Sequence, residues 1–90
     1  MASRAEVYKC IDGERDYQEM RIVRDGSTTL TEGPHTPEEF LLYMEHYMHL
    51  AREKASTVWG PKAKTEILDV LRKVTALGVA CMEANGVVAR

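Results

Sequence analysis

The chain has 90 residues, of which 44% are hydrophobic and 29% are charged, and its net charge is −2. This size predicts one domain, and the mixed charge without a basic block argues against nucleic acid as the main partner. No apolar run approaches the roughly 20 residues that cross a bilayer, and the first residues lack the apolar segment of a signal peptide. We therefore expect a cytoplasmic protein with no membrane partner.

The first predicted helix covers about residues 4–23. Val7, Ile11, Glu14 and Gln18 share one face, so an apolar stripe continues into polar residues. Residues 24–36 hold two glycines, a proline and several Ser and Thr residues, which predicts a loop. This loop is long for so small a domain, and it is a candidate flap or binding loop.

The second predicted helix covers about residues 37–57. Thr36 is its expected N-cap, Pro37 fills the first helical position and Glu39 completes a capping box. An apolar stripe follows at helical spacing, comprising Phe40, Met44, Tyr47, Ala51 and Ala55. His46 and His49, with Glu45 beside them, have a spacing that can bind zinc. Glu45 and His49 lie opposite the Phe40 stripe, however, on the face that we expect to meet solvent.

The third predicted helix covers about residues 65–84, with Thr65 as its cap and Asn85-Gly86 as its stop. It is apolar around most of its circumference. One stripe at three- and four-residue steps differs, and it comprises Glu66, Asp69, Lys73, Ala76, Ala80 and Glu83. Acid and base beside two small alanines predict a polar pocket on a largely buried helix.

These patterns predict a single all-α domain over residues 1–90, a compact three-helix unit whose bundle is completed by oligomerisation. Three helices of this length leave apolar surface uncovered, which is the reason to expect a homo-oligomer. Cys10 and Cys81 are far apart in the sequence and lie inside helical patterns. They fit reduced, buried packing residues better than a disulfide.

Ten residues are candidates for binding a ligand. Arginine and lysine can hold phosphates, tyrosine can stack on a base, and Glu, Gln or His can bond to a base edge or a phosphate. The candidates are Glu14, Arg15, Tyr17, Gln18, His35, Tyr43, Tyr47, Asp69, Arg72 and Lys73. In a simpler interpretation Arg15 pairs with Asp12 or Glu19, and Arg72 pairs with Glu66 or Asp69, on exposed helix faces.

Three segments together carry a resemblance to a known family. They are Ile11-Asp12-Gly13-Glu14-Arg15-Asp16-Tyr17-Gln18, His35-Thr36 before Glu39-Phe40, and Leu68-Asp69-Val70-Leu71-Arg72-Lys73 leading to Ala80-Cys81-Met82-Glu83-Ala84-Asn85-Gly86. The chain resembles small phage-encoded proteins related to the all-α, MazG-like nucleoside triphosphate pyrophosphohydrolases. The resemblance implies a helical bundle, an oligomer, a nucleotide-type ligand and a location in the cytoplasm of an infected bacterial host.

The metal-binding acids of that family are only partly present. MazG-like enzymes hold Mg²⁺ with an E-x-x-E pattern on one helix and an E-x-x-D pattern on the next. Glu66 and Asp69 match the second pattern, but Leu41 and Leu42 stand three residues after Glu38 and Glu39. Glu66 and Asp69 are therefore metal ligands only if the chain is a hydrolase, and otherwise no cofactor is expected.

Three functions follow as hypotheses. The first is an anti-defence protein that sequesters a cyclic nucleotide or an ADP-ribose-type immune signal without catalysis. The second is a Mg²⁺-dependent nucleoside triphosphate pyrophosphohydrolase. The third is a ligand-free interaction module, in which the polar stripe of the third helix is a salt-bridged contact with another helix.

Overall fold

The computed structural model describes residues 1–24, 35–57 and 59–90, and its secondary structure consists of three helices. Helix α1 spans Arg4–Arg24, α2 spans Pro37–Thr57 and α3 spans Pro61–Asn85. For these residues, the prediction of an all-helical fold with three helices is confirmed. The predicted binding loop at residues 24–36 lies almost entirely outside the described residues.

Local side-chain hydrogen bonds cap the N-termini of the first two helices. At the start of α1, the Ser3 hydroxyl oxygen accepts a bond from the Glu6 N–H at 3.1 Å, and the Ser3 hydroxyl donates to the Glu6 carboxylate at 3.0 Å. At α2, Thr36 Oγ1 accepts from the Glu39 N–H at 3.2 Å, as an N-cap does. The Glu39 carboxylate instead lies 3.4 Å from His35 Nδ1.

Helix α3 begins at Pro61, four residues before the predicted start at Thr65. Gly60 has a φ of 74°, which turns the chain, and Pro61 then supplies the fixed φ suited to the first helical position. Thr65 is therefore inside the helix, where its hydroxyl donates to the Pro61 carbonyl at 3.2 Å. The predicted stop is present, because Gly86 has a φ of 96° and its N–H donates to the Met82 carbonyl.

The core lies between α2 and α3. Phe40 is only 1% exposed and packs with Leu77 and Ala80 of α3, and Met44 and Tyr47 cover the edge of this cluster. Ala76 and Ala80 are fully buried, so the space beside the two alanines is filled by packing. The small residues of the α3 stripe therefore serve close helix contact, where the sequence suggested a pocket.

Helix α3 is the central element, since α1 and α2 each contact it and, within the described residues, do not contact one another. Helices α2 and α3 run antiparallel: Lys54 and Glu66 meet near the connection, and Asn85 bonds to the His35 carbonyl at the far end. None of the described helices is both long enough and apolar enough to cross a membrane.

This arrangement leaves many large apolar side chains on the surface, including Val7, Tyr8, Met20, Leu41, Leu42, Met48, Leu68 and Leu71. Cys10 and Cys81 are both free; Cys81 is half-buried beside the core, but Cys10 is exposed. The expectation that both cysteines are buried was therefore wrong for Cys10. It lies on the side of α1 that faces the start of α3, where the helices do not close on each other.

Candidate functional site

An ion-pair network joins α1 to α3. Its members are Glu14, Arg15, Glu19, Asp69, Arg72, Lys73 and Glu83, and we call it the α1–α3 network. The Arg15 side chain is almost completely buried, donating from Nε to Glu83 and from Nη2 to Glu19 at 2.7 Å. Arg15 of α1 is thus held against Glu83 of the α3 stripe by a charge-assisted hydrogen bond.

Arg72 organises the other part of the network. Its Nε donates to the buried Glu14 carboxylate at 2.7 Å, and its Nη2 donates to Asp69 at 2.6 Å. The Lys73 ammonium lies 3.3 Å from the same Asp69 carboxylate. Gln18 connects the two parts, because it donates to the Lys73 carbonyl at 3.3 Å and accepts from Arg15 at 3.5 Å. Six of the ten predicted ligand residues therefore meet at this interface.

The network shifts the pKa values of three members. The hydrogen bond from Arg72 is the main reason that the pKa of Asp69 is lowered, with Lys73 assisting and burial opposing. The bond to Glu14 is the main reason that the pKa of Arg72 is raised. Burial lowers the pKa of Arg15, but its bonds to Glu83 and Glu19 outweigh burial and raise it overall. All three groups are thereby held in their charged forms.

The lowered pKa of Asp69 predicts a specific acid sensitivity. A carboxyl whose pKa is lower in the folded chain than in the unfolded chain stabilises the fold when the pH is above its ordinary pKa of 3.8. This stabilisation is lost as the pH falls through the pKa of the folded chain. We expect Asp69→Asn to be less stable than wild type at pH 6, with the difference shrinking below pH 3.8. Urea unfolding of both proteins between pH 6 and pH 2.5 measures this, and a pH-independent difference would contradict it.

The remaining predicted ligand residues lie elsewhere. His35 and Tyr43 pack edge-on near Phe40, with ring centroids of His35 and Tyr43 6.4 Å apart. Tyr47 covers the α2–α3 core, and Tyr17 is exposed on α1. The ten candidates are therefore divided between the two sides of α3 and do not form one site within a single copy.

Glu66 and Asp69, the acids expected for Mg²⁺ in a hydrolase, face different partners. The Glu66 carboxylate lies 3.5 Å from the Lys54 ammonium of α2, whereas Asp69 contacts Arg72 and Lys73. His49 pairs with Glu53 at 3.4 Å on the surface. Across residues 1–24, 35–57 and 59–90, no three His, Cys, Asp or Glu side chains come close enough to hold one metal ion.

An open groove of about 530 Å³ runs between the first half of α1 and the first half of α3, and we call it the α1–α3 groove. Its walls are mainly apolar and include Val7, Cys10, Ile11, Leu68 and Leu71. Asp69 and Arg72 of the network also line the groove, so the groove and the network adjoin. An apolar cleft bordered by a few polar groups is the usual form of a small-molecule site.

Comparisons with protein-family models, with curated proteins and with solved structures found no match to this chain. The resemblance to MazG-like proteins therefore remains an expectation that depends on the sequence motifs.

Sequence reasoning missed two features of this region. It placed Glu83 on the α3 stripe but did not identify it as the partner of Arg15, although the stripe spacing was the available signal. It did not select Leu68 or Leu71 as site residues, because on a helix that is apolar on most sides they cannot be distinguished from core. Both are about half exposed in the structure.

Proposed function

We propose that this protein binds a nucleotide-derived ligand and sequesters it without changing it. The observation that supports the proposal is the α1–α3 groove, whose volume of about 530 Å³ falls in the range of roughly 300–1,000 Å³ typical of small-molecule sites. The phage setting is an expectation from the sequence resemblance, and the removal of an immune signal of the host is part of this proposal.

The groove offers distinct surfaces to the two parts of such a ligand. A base can pack between Val7 and Ile11 on one wall and Leu68 and Leu71 on the other, which removes its faces from water. The Arg72 side chain lines the groove and is 38% exposed, and its bonds to Glu14 and Asp69 use two of the five N–H groups of the guanidinium. It can therefore turn a further N–H towards a phosphate oxygen.

Charge favours a ligand with few negative charges. The network holds three cations and four carboxylates, so its own sum is slightly negative. A phosphodiester carries one negative charge per phosphate, whereas a nucleoside triphosphate concentrates about four charges on one chain. The repulsion that a bound ligand meets is therefore smaller for a cyclic nucleotide or an ADP-ribose-type molecule than for a triphosphate.

A binding measurement with a groove variant tests the proposal. We expect a cyclic dinucleotide or a cyclic ADP-ribose isomer to bind in calorimetry and to raise the melting temperature. Leu68→Asp places a charge on the apolar wall and should weaken binding at least tenfold. Leu42→Asp is the matched control, because Leu42 is similarly exposed but lies on α2, away from the groove. Absence of binding across the panel, or equal loss in both variants, would reject the proposal.

A second candidate is the ligand-free interaction module. The observation that favours it is that Asp69, Lys73 and Glu83 of the polar stripe are engaged within the α1–α3 network. In this case the cations serve helix packing and are not available to a ligand. A panel without binding, together with network variants that lose stability, is the result that this second function predicts.

A further inference from the structure

Helix α2 carries a second stripe of residues that the described part of the chain leaves exposed. Leu41, Glu45, Met48, Arg52 and Ala55 follow one another at steps of four, three, four and three residues, which is the spacing of a coiled-coil seam. All five residues are exposed, with Leu41 at 64% and Met48 at 44%. We call this set the α2 outer stripe.

The stripe is separate from the α2 face that forms the core, and Ala55, which the sequence grouped with Phe40, is exposed and lies outside that core. Phe40, Met44 and Tyr47 point towards α3, and at 100° per residue the α2 outer stripe lies about a quarter turn away from them. Helix α1 does not contact α2 within the described residues. The described part of one copy therefore leaves the stripe uncovered, with a leucine and a methionine in water.

When two copies of the stripe run in opposite directions, the residues that face each other have complementary charge and size. In an antiparallel pair of stripes with Met48 at the two-fold axis, Glu45 lies opposite Arg52 of the second copy, and Leu41 lies opposite Ala55 of the second copy. A parallel pair would place Glu45 against Glu45 and Arg52 against Arg52. Because opposite charges attract and like charges repel across such a seam, the sequence favours the antiparallel arrangement.

We propose that the α2 outer stripe is the dimer interface of this protein, and that its occupant is the same stripe of a second copy, packed antiparallel about Met48. At each end of this interface, the large Leu41 side chain of one copy then packs against the small Ala55 side chain of the other copy. Such large–small pairs allow two helices to pack closely. Each Glu45–Arg52 pair occurs twice by symmetry. The proposal does not depend on ligand binding, since the α1–α3 groove lies on the other helices.

Charge reversal with rescue tests the interface. We expect wild type to sediment as a dimer at micromolar concentration. Glu45→Arg alone and Arg52→Glu alone each create two like-charged contacts, and each should weaken the dimer at least tenfold. The double variant E45R/R52E restores opposite charges in the reversed order and should recover the dimer. Rescue by a second charge reversal is not expected if the two residues merely affect folding.

Glu53→Arg is the matched control, because it makes the same charge change at an exposed position of α2 outside the stripe. It should leave the dimer unchanged, and circular dichroism should show that every variant remains helical. Three results would each overturn the proposal: a monomeric wild type at 100 µM, a dimer insensitive to both single reversals, or a helical double variant that stays monomeric.

Discussion

Phe40→Ala is expected to lower the free energy of unfolding by about 3–5 kcal/mol, the usual cost of removing a buried aromatic ring. Phe40 is 1% exposed and packs against Leu77 and Ala80, where α2 meets α3. Ala80, which faces the ring from the opposing helix, is fully buried, and its methyl group is too small to fill the space. The cavity should therefore persist, which places the cost in the upper part of the range for core substitutions.

Urea unfolding followed by circular dichroism measures this effect. For a domain of this size, each kcal/mol should correspond to a fall of roughly 4–8 °C in the melting temperature. Leu42→Ala is the control, since Leu42 lies on the same helix but is 65% exposed and should change stability by no more than about 0.5 kcal/mol. Equal effects of the two substitutions would show that the α2–α3 contact is not the core.

Arg15→Ala is expected to lower the free energy of unfolding by about 2–3 kcal/mol, which is the second large effect. The guanidinium is buried and bonded to Glu19 and Glu83, so its removal leaves two carboxylates close together without their cation. Breaking a buried ion pair typically costs roughly 3–5 kcal/mol. We expect less here because Glu19 and Glu83 are partly exposed and can take up water after the substitution.

A comparison with other variants separates this structural role from ligand binding. Arg15→Lys keeps the charge but loses the planar fork, and should recover only part of the stability. Arg4→Ala, at an exposed position of α1, should have almost no effect. A double-mutant cycle between Arg15 and Glu83 should give a coupling of about 1 kcal/mol or more. Wild-type stability of ligand-free Arg15→Ala would contradict a structural role for Arg15.

The simpler interpretation of the arginines was correct about two partners but not about their environment. Arg15 does pair with Glu19, and Arg72 does pair with Asp69, at helical spacings visible in the sequence. Their long-range partners, Glu83 and Glu14, lie 68 and 58 positions away, respectively. Those contacts bury Arg15 and turn surface pairs into a helix interface, which no local spacing can indicate.

Local signals in the sequence determined that there are three helices and fixed most of their ends, with the predicted start of α3 as the exception. Thr36-Pro37 and Asn85-Gly86 act through hydrogen bonds and backbone angles within one turn of the chain, so these signals do not depend on the rest of the molecule. The start of α3 at Pro61 follows the same local logic, because Gly60 turns the chain and Pro61 suits the first helical position.

Only the tertiary structure decided which faces of the helices pack together and which side chains meet. It placed α3 between α1 and α2, filled the space beside Ala76 and Ala80, and separated Tyr43 and Tyr47 from Arg15 and Arg72. The physical reason is that a helix with apolar residues on most sides can pack by several faces. The choice depends on the combined burial and ion pairing of all three helices, which residue spacing within one helix does not contain.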